Sequence, residues 1–204
     1  EGQGEGEMLG MGFFKSLVKQ HGKTYFEPIG KTLAAAGIRQ PNPMNPAHLW
    51  ALRSVAPPYM KWVATQRLRP LRRPQLPNMP KALREHAEFA CERLQRMALE
   101  ISGTMSKFQL KLADRQCRMA ELSQRCQDMI TMLTVSLYGA QSTDPLVQDA
   151  ADILCEQLQQ KFLGRRPSNY YFRKVTALGA AIAEGKFSSI AGIEAEAILM
   201  PYEQ

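Results

Sequence analysis

Apolar residues along this chain recur at helical spacing wherever a pattern holds. Leu9, Phe13 and Leu17, with Phe14 and Val18 four apart beside them, predict an amphipathic helix over 8–20 that stops near Gly22. A second helix is expected over 25–36, closed by Gly37 in the C-cap position. Pro80 stands where a first-turn proline is tolerated. It opens a run to Ser102 with Leu83, Ala87, Ala90, Leu94, Met97 and Ile101 on one side. Gly103 either interrupts or merely weakens the chain before the longest stripe, which runs from Met105 and Phe108 through Leu122 and Met129 to Leu137, about nine turns. Gly139 and the turn-rich Ser142–Pro145 are expected to end it. Asp144 then caps a helix with Pro145 first, running through Val147, Ala151, Leu154 and Leu158 to Gly164, and a last helix over 169–183 precedes Gly185. No segment alternates apolar and polar residues over strand length. The predicted fold is therefore all-α, its helices joined by short loops and packed as antiparallel neighbours in a bundle.

Proline interrupts this pattern in one region only. Ten of the thirteen prolines fall between Pro28 and Pro80. Residues 40–80 cannot be one helix, because each interior proline removes a donor and clashes with the preceding turn. Two short helices fit, over 46–54 and 57–68, and 69–80 reads as an extended connector. Three parts follow: 1–38, a proline-rich basic connector over 39–80, and a helical bundle domain over 81–204.

Charge follows the same division. The formal net charge of the 204 residues is +7, yet residues 8–81 carry twelve bases and the single acid Glu27, while Glu1, Glu5 and Glu7 leave the first seven residues purely acidic. The densest basic run is Arg67, Arg69, Arg72 and Arg73, near Tyr59 and Trp62. Such a run suits an anionic membrane surface, or nucleic acid through charge and stacking, or a solvated linker whose arginines pair with acids elsewhere. No nucleic-acid motif accompanies it, so nucleic acid is not the expected partner.

Other chemistry is sparse. No window offers the roughly 18 uninterrupted apolar residues of a membrane-spanning helix, and no basic n-region with an apolar h-region marks a secretory signal. Cys91, Cys117, Cys126 and Cys155 lie in helical segments without CxxC spacing, and are expected to be buried free thiols rather than zinc ligands or a redox pair. His21, His48 and His86 sit in different segments. His86 has Glu85 and Glu88 beside it, neither at ligand spacing, so no metal site is expected and His86 is read onto a solvated helix face. The alternating glycines of residues 1–7 are flanked by acids, which would repel phosphate rather than cradle it.

Glu1-Gly2-Gln3-Gly4-Glu5, followed by the apolar stretch Met8–Phe14, resembles the acyl-CoA dehydrogenase family, which carries Glu-Gly-Thr-x-Gln/Glu before an apolar helix near the end of its catalytic domain. Gln3 stands where the family usually has Thr. Downstream, Arg115-Gln116 leads to Leu137-Tyr138-Gly139-Ala140, which is similar to the additional helical domain of the very-long-chain members, and Tyr171–Val175 with Ala181–Gly185 looks like its closing helix. The resemblance implies that Glu1 is the catalytic base, with Gly2, Gln3 and Glu5 in the loop that touches FAD. It also implies that 1–38 are the last helices of a catalytic α-domain and 81–204 a C-terminal extension.

The implied substrate is a fatty acyl-CoA, with electron-transfer flavoprotein or a similar acceptor as redox partner, a homodimeric assembly, and membrane-surface contact through Arg67, Arg69, Arg72 and Arg73. A bacterial cytoplasmic location is implied, with the mitochondrial matrix or inner-membrane surface as the alternative. The chain opens on Glu1 rather than Met and is expected to be processed, tagged or cut from something longer, inactive alone. The competing expectation is a non-enzymatic helical module that binds a partner or a membrane surface.

Overall fold

The computed structural model describes residues 16, 18–39, 41–42, 44–108 and 116–187. Among the described residues there are helices, turns and irregular stretches but no strand, in agreement with the all-α expectation. The chain divides into two compact units, one of Glu1–Gln75 with Glu88–Thr131 and the other of Leu76–Ala87 with Met132–Gln204.

In the first unit the chain passes from α-helical Val18–His21 through a π-helical turn, Gly22–Phe26, into α1 (Glu27–Ala35). Gly22 therefore does not stop the helix as expected. A Cβ there would lie 3.3 Å from the Met105 methyl, so the missing side chain lets this segment approach a neighbour closely. The cost of glycine inside a helix, about 1 kcal/mol, is small enough for packing to override. At the far end the expected cap forms. Gly37 takes φ 68, and the N–H groups of Gly37 and Ile38 donate to the carbonyls of Ala34 and Leu33 at 3.0 and 2.9 Å, a Schellman closure.

α2 (Pro46–Leu52) begins behind Asn45, whose side chain accepts from the Ala47 N–H at 3.0 Å. α3 (Ala56–Leu68) follows, with Pro57 and Pro58 in its first turn, where their missing donors are not needed. Residues 69–80 contain no helix, as the proline spacing predicts. The core of this unit is Val18, Met105 and Leu122, with Phe26 and Ile101 packed against them.

α4 (Lys81–Phe108) runs through Gly103 without a break. That glycine is exposed and a Cβ on it would touch nothing within 4 Å, so it weakens the helix locally and does no more. α5 (Gln116–Gln141) likewise continues past Gly139. Here the glycine serves contact rather than termination, because a Cβ would fall 2.5 Å from that of Ala151. Asp144 caps α6 (Pro145–Leu163) as expected, accepting from the Leu146 N–H at 2.9 Å, and Gly164 ends it at φ 63. Ser168, which the pattern did not single out, caps α7 (Asn169–Ala183) by accepting from the Tyr171 N–H at 3.1 Å. Gly185 at φ 70 follows. The second unit buries Leu83, Ala87, Met132, Val147, Ala151, Cys155 and Tyr171.

Candidate functional site

Glu1, Gly2, Gln3 and Glu5, the residues that the family resemblance assigns to base and flavin contact, lie outside the described residues. No described side chain is assigned to hold FAD.

The described chemistry begins with the basic region. From Pro28 to Arg84 the sequence contains no acid and ten bases, and its helices leave large apolar groups in solvent. Met44 is 86% exposed, Trp50 68% and Leu68 83%, with Leu49 and Met60 also exposed. α3 has no buried residue at all, so this helix lies on a surface rather than through a core. Arg53 stacks over the Trp50 ring at 4.0 Å, and its Nη1 donates to the Trp50 carbonyl at 2.9 Å, which fixes a cation on an exposed aromatic. Past α3 the connector is not free of the fold. The Gln95 side chain of α4 accepts from the Arg72 N–H and donates to the Arg72 carbonyl, both at 2.9 Å, a two-way clamp that occupies the backbone and leaves the arginine side chain exposed. Arg67, Arg69 and Arg73 are exposed too. The four arginines share one short stretch of surface backbone, and the clamp that holds it is invisible to spacing arguments.

A second cluster surrounds His21. Its ring centroid lies 4.6 Å from Trp62, 4.9 Å from Tyr25, 5.7 Å from Phe26 and 6.5 Å from Tyr59. Its Nε2 is 3.0 Å from the Ser102 hydroxyl, which is 3.1 Å from the Tyr59 hydroxyl. Burial pushes the His21 pKa below 6.5. Ser102 is 1% exposed, so the pair is a serine and a histidine at hydrogen-bond distance without an opening for substrate. The sequence gives one hint of this cluster, the four-residue spacing of His21 and Tyr25.

The third cluster belongs to the second unit and corrects the reading of His86. That residue is 8% exposed, not on a solvated face. Its position three after Leu83 and four before Ala90 sets it on the apolar stripe, a signal available in the sequence. Nε2 meets Asp152 at 2.9 Å and Nδ1 meets the Gln159 side-chain oxygen at 3.0 Å. Lys174 of α7 donates to Asp152 and, at 3.0 Å, to Glu156, both on α6. Burial alone would raise the Asp152 pKa, but hydrogen bonds from His86 and Lys174 outweigh it and hold the carboxyl low. Burial opposes charge on Lys174 as well, yet its bonds to Asp152 and Glu156 raise its pKa. A hydrogen-bonded set of this kind joins helices and has no nucleophile in it.

Among the described residues no cluster of histidine, cysteine and carboxylate side chains is arranged to hold a metal ion, and no helix is long and apolar enough to cross a membrane. The Cys117 side chain lies outside the described residues. Cys91, Cys126 and Cys155 are free thiols, but only Cys155 is buried as expected, while Cys91 and Cys126 are half-buried. Burial raises each of their pKa values, which disfavours the reactive thiolate. Compared with protein-family models, curated proteins and solved structures, the chain matches none of them.

Proposed function

We propose that this chain is the C-terminal part of an FAD-dependent acyl-CoA dehydrogenase, with Glu1 as the base. The observation that carries the reading is Glu1-Gly2-Gln3-Gly4-Glu5 ahead of an apolar stretch, with Arg115-Gln116 and Leu137–Ala140 at the distance that the family's extra helical domain requires. On this reading Glu1 takes the α-proton of a fatty acyl-CoA thioester, a step that needs a carboxylate placed against the carbon in a dry pocket. FAD, when bound, supplies the acceptor for the β-hydride. Gly2 lets the backbone pass close to a flat ring. The test uses the full-length parent protein purified from its source. Glu1→Gln should lower acyl-CoA oxidation by about 100-fold or more while yellow flavin absorbance persists. A parent without flavin, or a variant with unchanged turnover, overturns the reading.

The acid-free stretch from Pro28 to Arg84 favours a second reading, a helical module that docks on an anionic membrane. Bases supply attraction that grows as lipid charge grows, and Trp50, exposed like Leu49 and Met60, is the side-chain type that settles at a lipid–water boundary. The 204-residue chain should co-sediment with phosphatidylserine-containing vesicles and not with phosphatidylcholine vesicles. Replacing Arg67, Arg69, Arg72 and Arg73 together with glutamine should weaken that binding by up to roughly a thousandfold. Equal binding to both vesicles, or unaltered binding by the fourfold variant, would exclude it.

A further inference from the structure

His21 closes a junction of three elements. It leads directly into the π-helical turn, its ring packs on Tyr59 and Trp62 of α3, and its Nε2 meets Ser102 of α4. The hydroxyl hydrogens can satisfy this geometry in a single run when Nε2 carries no proton: Tyr59 donates to Ser102 Oγ, and Ser102 donates to His21. A proton on Nε2 turns that nitrogen into a donor, so Ser102 Oγ must accept from it and the Ser102 hydrogen loses its acceptor in the run. The ring contacts at this charge are Tyr25 and Phe26 from the same segment and Tyr59 and Trp62 from α3, with Ser102 from α4. Among the described residues they include no carboxylate to balance the imidazolium and no second cation.

We infer that His21 is a proton-operated latch, closed while its imidazole is neutral, that fixes α3 and the basic connector behind it against α4. Protonation places an unpaired charge in a half-buried aromatic cage and displaces the Ser102 hydrogen from its bond to His21, which loosens α3. Attraction between imidazolium and the aromatic faces offsets part of that cost. Burial wins, since it lowers the His21 pKa from its ordinary 6.5. The opened state then binds the proton more readily than the closed one. The latch is at full strength above pH 6.5 and weakens as pH falls below that value. The backbone that displays Arg67, Arg69 and Arg73 continues from α3, so acidification changes how firmly that basic surface is held. The latch does not depend on the dehydrogenase reading.

Amide hydrogen exchange of the 204-residue chain, corrected for intrinsic rates, tests this from roughly pH 8 to pH 5. Protection across Ala56–Leu68 should fall several-fold below neutrality. His21→Phe, which keeps a ring in the cage without a titrating nitrogen, should flatten the profile. His48→Gln, on exposed α2, should leave it unchanged. A flat wild-type profile overturns the latch, as does an unaltered slope in His21→Phe or a slope abolished by His48→Gln. Should His21→Phe fail to fold, an NMR titration of wild-type His21 decides: a midpoint below 6.5 is expected, and one at or above 6.5 excludes the latch. Tyr59→Phe removes the first hydroxyl and keeps the ring, and should lower α3 protection already at about pH 8. Unchanged protection there would overturn the hydroxyl run.

Discussion

Asp152→Ala should destabilise the second unit by about 3 kcal/mol, seen as a lower urea midpoint in that unit's unfolding. Asp152 is the shared partner of His86 and Lys174, and all three side chains are mostly withdrawn from water. Removing it strips His86 of its Nε2 partner and leaves the Lys174 ammonium to Glu156 alone. Asp152→Asn keeps the shape and an acceptor but loses the charge, so its cost should fall between alanine and wild type. Lys174→Met should also destabilise the unit, because Asp152 and Glu156 lose their shared ammonium, although Asp152 keeps its bond to His86 and the methionine stem replaces buried methylenes. The pH dependence has two edges. Asp152 titrates below its ordinary 3.8, so its contribution is complete above about that pH and fades as pH falls through the folded value. Lys174 titrates above its ordinary 10.5, so its contribution is complete below that value and is lost as pH rises through the folded one. A midpoint for Asp152→Ala equal to wild type would show that these bonds contribute nothing net.

The parts of this fold that could be read in advance are those fixed by neighbours in sequence. Asp144 before Pro145, Gly37 after Ala36, Gly164 and Gly185 all act within one turn of themselves, and each lies at the boundary its residue type predicts. The same local reasoning fails for Gly22, which does not stop its helix; of the two outcomes open for Gly103 the weaker holds, and α5 runs two residues past Gly139 to Gln141. Glycine in a helix costs only about 1 kcal/mol, so two helices that gain by touching, or a long helix anchored at both ends, absorb it. Whether a glycine breaks or packs is decided by a residue far away, Met105 for Gly22 and Ala151 for Gly139.

Functional groups divide the same way. The arginine run from Arg67 to Arg73 is readable as charge on an extended stretch, but its clamp pairs Arg72 with Gln95 across 23 positions. His86 meets Asp152 across 66 positions and His21 meets Ser102 across 81, separations at which no spacing rule operates. His86 carries both signals locally: its place on the apolar stripe with Leu83 and Ala90 points inward, while Glu85 and Glu88 beside it point outward. Glu1, Gly2, Gln3 and Glu5 stand apart, since the grounds for them are resemblance alone.

Gly139→Ala and Gly103→Ala should shift stability in opposite directions. At Gly139 the new Cβ would sit 2.5 Å from the Ala151 Cβ and 3.3 Å from a Leu83 methyl. The Ala151 atom is fixed to backbone and cannot swing away, so α5 and α6 must separate. Overpacking of this kind costs about 1–3 kcal/mol, against a gain of about 1 kcal/mol from alanine's better helix propensity. The net expectation is a loss of up to about 2 kcal/mol, visible as a lower thermal midpoint. Gly103 has open space around its Cβ position, so there the propensity gain stands alone and Gly103→Ala should raise the midpoint. Adding Ala151→Gly to Gly139→Ala removes the opposing methyl, and the pair should be more stable than the two single losses summed. Strict additivity in that cycle, or a stabilised Gly139→Ala, would mean that α5 and α6 have room to take up a methyl group where they meet.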